Sequence, residues 1–174
     1  TPLKSLISFS MNKQNFYDLN FDQLRNFLIE KGEIEDKKAK MRAQQMFNAV
    51  YKKNIKNFDE LTTFGLELRE KIKNLISLEK PKIIDIQKSK DGTIKFLLEL
   101  KDKRNVETVL IPDKSQSRYT ICLSVSVGCY LSCEFCATAQ ISKKLVRNLT
   151  PGEIISQIIL CKDYIDDWST QKKI

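Results

Sequence analysis

A chain of 174 residues can bury a substantial core in one or two domains, and 41% hydrophobic with 30% charged residues is the balance of a folded, water-soluble protein. No apolar run approaches the roughly 20 residues of a membrane span, and the opening TPLKSLISFSMNKQNF lacks the apolar centre and small-residue cleavage site of an export signal, so no membrane and a cytoplasmic location with reduced thiols are expected. Lys and Arg outnumber Asp and Glu by 30 to 22, a net charge of +8 that suits a nucleic-acid partner but that ordinary lysine-coated surfaces also produce; the absence of histidine excludes imidazole acid–base catalysis and every zinc site with a His ligand.

Residues 17–79 read as helical. In NFDQLRNFLIEKG, Asn20 is the expected N-cap and Gln23, three residues on, completes a capping box. Phe21, Leu24, Phe27 and Leu28 fall on one helical face, and Gly32 ends the run. KAKMRAQQMFNAVYKK repeats the pattern through Met41, Met46, Phe47, Val50 and Tyr51. A third helix is expected to begin near Thr62 or Thr63, with Leu68, Ile72, Leu75 and Ile76 at helical spacing. Three short amphipathic helices make a small bundle with all of these apolar residues in its core.

Pro81 marks a change of period. KIIDIQKSKDGTIKFLLELKDKRNVETVLIP is rich in β-branched residues, with one turn at Asp91–Gly92 and another around residues 101–105, and predicts a hairpin or three-stranded meander ending at Pro112. DKSQSR is a polar loop, and YTICLSVSVG (119–128) predicts one strand running straight into a cluster of cysteines. Beyond the cysteines, RNLTPGEIISQIILCKDYIDDW opens a helix with Thr150 as N-cap, Pro151 at the first helical position and Glu153 closing a capping box. Its expected buried stripe is Ile154, Ile155, Ile158, Ile159 and Ile165. Strand, loop and helix form one β/α unit with the cysteines at the strand's C-terminal end, where active sites of α/β folds lie. The fold class is therefore α/β: a helical unit over 1–80, a β connection over 81–117, and the first β/α unit of a larger core over 118–174. One such unit cannot close a sheet, so the chain is expected to be incomplete.

GCYLSCEFCATAQ (128–140) places Cys129, Cys133 and Cys136 in eight positions, three of the five cysteines of the chain. Three thiolates spaced Cys-x3-Cys-x2-Cys can wrap a four-iron cluster and leave one iron open. A structural zinc site is closed and wants a fourth ligand, which would have to be Cys122, Cys161 or a carboxylate. On a continuous strand Cys122 lies an odd number of residues from Cys129 and faces elsewhere, which makes zinc the weaker reading. Taken alone, Cys122 reads as a buried strand cysteine, Cys161 as helix packing, Phe135 as loop packing and Glu107 as an exposed strand glutamate.

The Cys-x3-Cys-x-aromatic-Cys loop after a strand resembles the radical S-adenosylmethionine (SAM) superfamily. VETVLIP (106–112), TICLSVSVGC (120–129), CEFCATAQ (133–140) and RNLTPGEIISQI (147–158) resemble, more narrowly, the RlmN/Cfr family of RNA adenine-C2 methyltransferases. MRAQQMFNAVY, NFDELT and LREKI are similar to that family's accessory helical domain, and DGTIKFLLEL to its β connection, so the likeness extends from about residue 17 onward. It implies a partial TIM-type barrel core and a 4Fe-4S cluster held by Cys129, Cys133 and Cys136, whose open iron binds SAM. It implies Phe135 packing beside the cluster or the SAM adenine. A C-terminal methyl-carrying cysteine delivers the carbon to adenine C2 through a covalent protein–RNA adduct. Cys122 is then the second cysteine, which releases the product by forming a transient disulfide, and Glu107 is the proton acceptor for the C2 hydrogen, a role favoured by burial. The implied partners are 23S rRNA, tRNA, and an electron donor such as a flavodoxin or ferredoxin, with the protein a monomer.

The chain also departs from the family's pattern. The later Gly-rich SAM motif and the methyl-carrying cysteine have no counterpart, so the chain is expected to be a fragment that does not turn over alone. ISKKLV (141–146) lacks the glycine common in the loop, Ser126 stands where Gln is common, and Ala49 where Trp is common. A non-catalytic RNA-binding module and a closed four-cysteine zinc domain remain the alternatives.

Overall fold

Asn20 and Gln23 form the expected reciprocal capping box, and helix α1 runs Phe21–Glu30 in this computed structural model, which describes residues 13–113, 115, 117–131, 133–134, 144–168 and 174. Gly32 stops it by close approach: a Cβ there would sit 2.4 Å from the Leu28 carbonyl oxygen. Helix α2 (Asp36–Tyr51) packs against α1, and its buried face is Ala39, Ala43, Met46, Ala49 and Val50. Met41, expected in the core, is 49% exposed. Two residues from both Ala39 and Ala43, Met41 stands about 200° around the helix from the buried face and so meets solvent. Helix α3 (Leu66–Leu75) starts later than expected, with Gly65 as N-cap, because Phe58–Glu60 forms a separate one-turn 3-10 helix closed by its own Asn57–Glu60 capping box. A two-residue parallel pairing of β1 (Gln14–Asn15) with β2 (Ile76–Ser77) ties the ends of the unit together. A cluster of Phe16, Tyr17, Phe47 and Tyr51, with ring centroids 5.3 to 6.2 Å apart, fills one side of its core.

Strands β3 (Lys82–Lys88), β4 (Ile94–Glu99), β5 (Asn105–Asp113) and β6 (Arg118–Cys122) form one antiparallel sheet in that order. Both predicted turns are present. Gly92 adopts φ +96° in the first, donating its N–H to the Ser89 carbonyl at 3.0 Å. Phe96, Leu98, Val106, Thr108 and Leu110 point inward, and Lys95, Leu97, Glu107 and Val109 point outward. The single strand expected over 119–128 is instead two. β6 ends at Cys122, and β7 is only Ser126–Val127, paired with β8 (Arg147–Asn148) in a separate ribbon.

Helix α4 (Pro151–Tyr164) carries the predicted Thr150–Glu153 capping box and lies between the two cores. Ile155 and Ile159 pack into the helical unit, while Ile154, Leu160, Cys161, Tyr164 and Ile165 pack against the sheet. The expected isoleucine stripe is therefore a correction: of its members only Ile159 is fully buried, and the most enclosed positions include Ser156, Gln157 and Cys161. Two-sided burial replaces one stripe by two flanks. Among the described residues, no helix is long and apolar enough to cross a membrane.

Two carboxylates fasten α4 to the helical unit. Asp18 Oδ1 accepts the Gly152 N–H at 2.7 Å, completing the N-terminal cap from outside the helix. A Cβ on Gly152 would lie 2.5 Å from that oxygen and 3.0 Å from the Asp18 backbone nitrogen. At the other end Asp163 accepts from Asn54 Nδ2 (2.9 Å), Lys56 Nζ (2.6 Å), Lys80 Nζ (2.7 Å) and Trp168 Nε1 (2.9 Å). Gly152→Ala should destabilise the chain by about 1–3 kcal/mol, read from the urea midpoint. Burial works to raise the Asp163 pKa, but the bonds from Lys56, Lys80 and Asn54 outweigh it and hold the carboxyl below its ordinary range. Stability from such a group is present above the unfolded pKa and lost as pH falls through the folded one. Thermal stability should therefore fall on acidification below about pH 4, and an Asp163→Asn variant should lose less between neutral and acid pH than the wild type.

Candidate thiol and cluster site

The sheet places Glu107 and Cys122 on one face. Cys122 is directly opposite Val109, and Glu107 precedes Val109 by two, so the two residues are diagonal neighbours whose Cα atoms are about 7–8 Å apart. This is the outer face, turned away from α4. Cys122 is a free, exposed thiol rather than the buried strand cysteine that its residue type alone predicts. Glu107 is also exposed, with 52% of its side chain accessible, and pairs with Lys95 Nζ at 3.0 Å. Burial, expected to favour its work as a base, is not supplied by the described residues. Its backbone is fixed, because Ser124 Oγ donates to the Glu107 carbonyl at 2.6 Å.

The cysteine loop leaves the β7–β8 ribbon. Ser126 pairs with Asn148 and Val127 with Arg147, while Val146 N–H donates to Val127 O and Leu149 N–H to Val125 O, both at 2.9 Å. Gly128 turns the chain with φ +75°, a conformation that a side chain would strain. Cys129 and Cys133 follow as partly exposed free thiols, and the Leu131 N–H lies 3.4 Å from Cys129 Sγ, a bond suited to stabilising sulfur charge. Phe135 and Cys136 lie outside the described residues. Among the described residues no three His, Cys, Asp or Glu side chains gather as a metal site, and no disulfide is formed. The donor chemistry present fits an iron–sulfur cluster: accessible thiols, one receiving a backbone N–H, on a loop with a fixed base. Cys161 is not available to it, being fully buried, with burial pushing its thiol up to about 12.

Two residues that sequence reasoning passed over organise this region. Arg147 grips Glu153 with two bonds of 2.8 Å and Asp102 with one of 2.9 Å, joining the loop's exit, the start of α4 and the β4–β5 turn. The Asp102 carboxyl is held low chiefly by its bond from Arg147. Gln157, wholly buried, makes four hydrogen bonds to Thr108, Ser124 and Glu153. The signal for Arg147 was an opposite charge in a capping box six residues on; for Gln157 it was a polar residue inside an isoleucine-rich helix.

The family model for the ribosomal RNA large subunit methyltransferase N-terminal domain matches residues 14–78. The chain is 39% identical over 158 residues to the dual-specificity RNA methyltransferase RlmN of Ruegeria sp., covering 91% of this chain and 38% of that protein. It is 40% identical over 151 residues to the protein of the same name from Oleidesulfovibrio alaskensis, covering 86% of this chain and 40% of that one. The crystal structure of a radical SAM methyltransferase from Sphaerobacter thermophilus superposes with a TM-score of 0.74 at 30% identity, over 88% of this chain and 42% of that chain. This chain belongs to the RlmN family, as an N-terminal portion; it spans about two fifths of the length of these relatives.

Arg147→Lys keeps the charge but loses the two-pronged grip. The loss should be about 1 kcal/mol, limited because 31% of the Arg147 side chain remains in solvent. Hydrogen exchange at the Val146 and Leu149 amides should then quicken by about fivefold while α1–α3 stay unchanged.

Proposed function

We propose that this chain is the first part of a radical-SAM methyltransferase that modifies adenine C2 in RNA, with 23S rRNA and tRNA as substrates. The reading is carried by one arrangement: the free thiols Cys129 and Cys133 on a loop clamped at its base, and Glu107 with Cys122 on the same outer sheet face. In this division residues 1–80 grip RNA, 81–117 are the β connection, and 118–174 begin the catalytic core, with β6 completing the connecting sheet. The net charge of +8 suits the RNA backbone. The target adenine must be unstacked before any group can reach C2.

Cys129, Cys133 and Cys136 would hold the cluster. When bound, a 4Fe-4S cluster supplies the electron that cleaves SAM and an open iron for its amino and carboxylate groups. Phe135 would pack beside it. Glu107 takes the C2 proton; its exposed pairing with Lys95 is weak enough to yield to substrate. Cys122, a free thiol exposed on the same face, would attack the sulfur of a methyl-carrying cysteine: the S–S bond forms as the S–CH2 bond to the adenine breaks, the electron pair passes to the methylene–adenine unit, and a proton taken up there completes the methyl group of the released RNA. The electron donor would be a flavodoxin or ferredoxin, and the enzyme a cytoplasmic monomer.

Anaerobic reconstitution of the chain should give a brown protein with about four irons and four sulfides per chain, lost on Cys→Ala change at position 129, 133 or 136. A colourless protein with one tightly held zinc would overturn the cluster assignment. RNA binding that is salt-dependent, with no cluster formed at all, would favour the non-catalytic module instead. In the full-length enzyme, Cys122→Ala should trap RNA on the protein; turnover without an adduct would refute the role given to Cys122.

A further inference from the structure

The β6–β7 break separates Cys122 from the cysteine loop and leaves Leu123–Val125 between the two strands, with Val125 O accepting the Leu149 N–H at 2.9 Å. At Ser124 a side chain takes the place of a neighbouring strand. Gln157 Oε1 accepts the Ser124 N–H at 2.9 Å, and Gln157 Nε2 donates to the Ser124 carbonyl at 2.9 Å, so the amide pairs with Ser124 as a neighbouring strand would. Thr108 Oγ1 donates to the same Oε1 at 2.7 Å, and Nε2 also donates to Glu153 O at 3.2 Å. All four bonding positions of the amide are used, in a group with no solvent access. The orientation is unambiguous, because a backbone N–H can only donate and a carbonyl can only accept.

These partners adjoin the proposed chemistry. Thr108 follows Glu107 on β5, and Ser124 lies two residues after Cys122 while its Oγ bonds the Glu107 carbonyl. We infer that Gln157 is a positioning residue of the proposed reaction: its buried amide fixes the strand break so that Cys122 and Glu107 stay in one register on the outer face. The inference rests on the function proposed above. A buried glutamine that merely filled space would not need to bond both Ser124 backbone groups. A methionine would fill the same volume but take this partner away from the Ser124 N–H and carbonyl and from the buried Thr108 hydroxyl.

The test uses the full-length enzyme with Gln157→Glu, which keeps the shape but turns an acceptor toward the Ser124 carbonyl. Circular dichroism reports folding, equilibrium binding reports RNA affinity, and single-turnover capture reports the covalent protein–RNA adduct. Gln157→Glu should bind RNA within about twofold of wild type yet clear the adduct about tenfold to a hundredfold more slowly. Thr108→Val, which leaves the Ser124 clamp intact, should clear it within about threefold of wild type. If Gln157→Glu does not fold, Gln157→Met removes the clamp at constant volume and is read the same way. Wild-type clearance in the clamp-free variant overturns the inference. So does equal slowing in Thr108→Val, or a loss of RNA affinity that matches the slowing. Cys122→Ala separates the two levels. An adduct there but not in the Gln157 variant defeats the positioning role alone, whereas no adduct in Cys122→Ala defeats the proposed function and the inference with it.

Discussion

A helix with apolar residues on two opposite flanks has to be covered twice, and that constraint organises this chain around Pro151–Tyr164. Ile155 and Ile159 need the helical unit, while Ile154, Leu160, Cys161, Tyr164 and Ile165 need the sheet, so neither layer is complete without the helix. Apolar contact sets no angle or register by itself. The polar contacts do: Asp18 on the first turn and Asp163 at the last fix where the helical unit sits along α4. Gly152 is the residue that lets Asp18 come close enough.

The same helix determines which sheet face is left open. With Phe96, Leu98, Val106 and Leu110 turned toward α4, the alternation of a strand sends Lys95, Glu107, Val109 and Cys122 to the other side. Glu153 extends this control to the cysteine loop. One of its oxygens accepts both the Thr150 N–H and an Arg147 prong, so the cap that starts the helix also pins the strand leaving the loop. Were the loop to hold a cluster, as proposed, such anchoring would fix the backbone that carries its thiols.

Local signals made much of this readable in advance. Capping boxes at Asn20 and Thr150, the Asp91–Gly92 turn and the strands on either side of it depend on neighbours in sequence, and each stands as expected. What escaped depends on contacts distant in sequence. Met41 is the exception: two residues from Ala39 and Ala43, it stands on the far side of α2, a placement that the helical period itself dictates. Counting parity from Cys122 to Cys129 assumed one continuous strand; the break at Leu123–Val125, held by a side chain 33 residues away, cancels that count. Of the three cysteines proposed as cluster ligands, the spacing in sequence carries the argument for all, and the geometry of Cys129 and Cys133 adds their accessibility.

Glu107 shows how a residue can be placed without being committed. Its carboxylate meets Lys95 at 3.0 Å, but with 52% of the side chain in water such a pair is worth about 0–1 kcal/mol. Its main chain, in contrast, is held by the β4 ladder, where it stands opposite Leu97, and by Ser124 Oγ. A rigid backbone with a loosely paired carboxylate is what a proton acceptor requires if the substrate itself is to complete the pocket. Under the proposed function, that looseness leaves the carboxylate able to turn toward a substrate while the strand that carries it stays fixed.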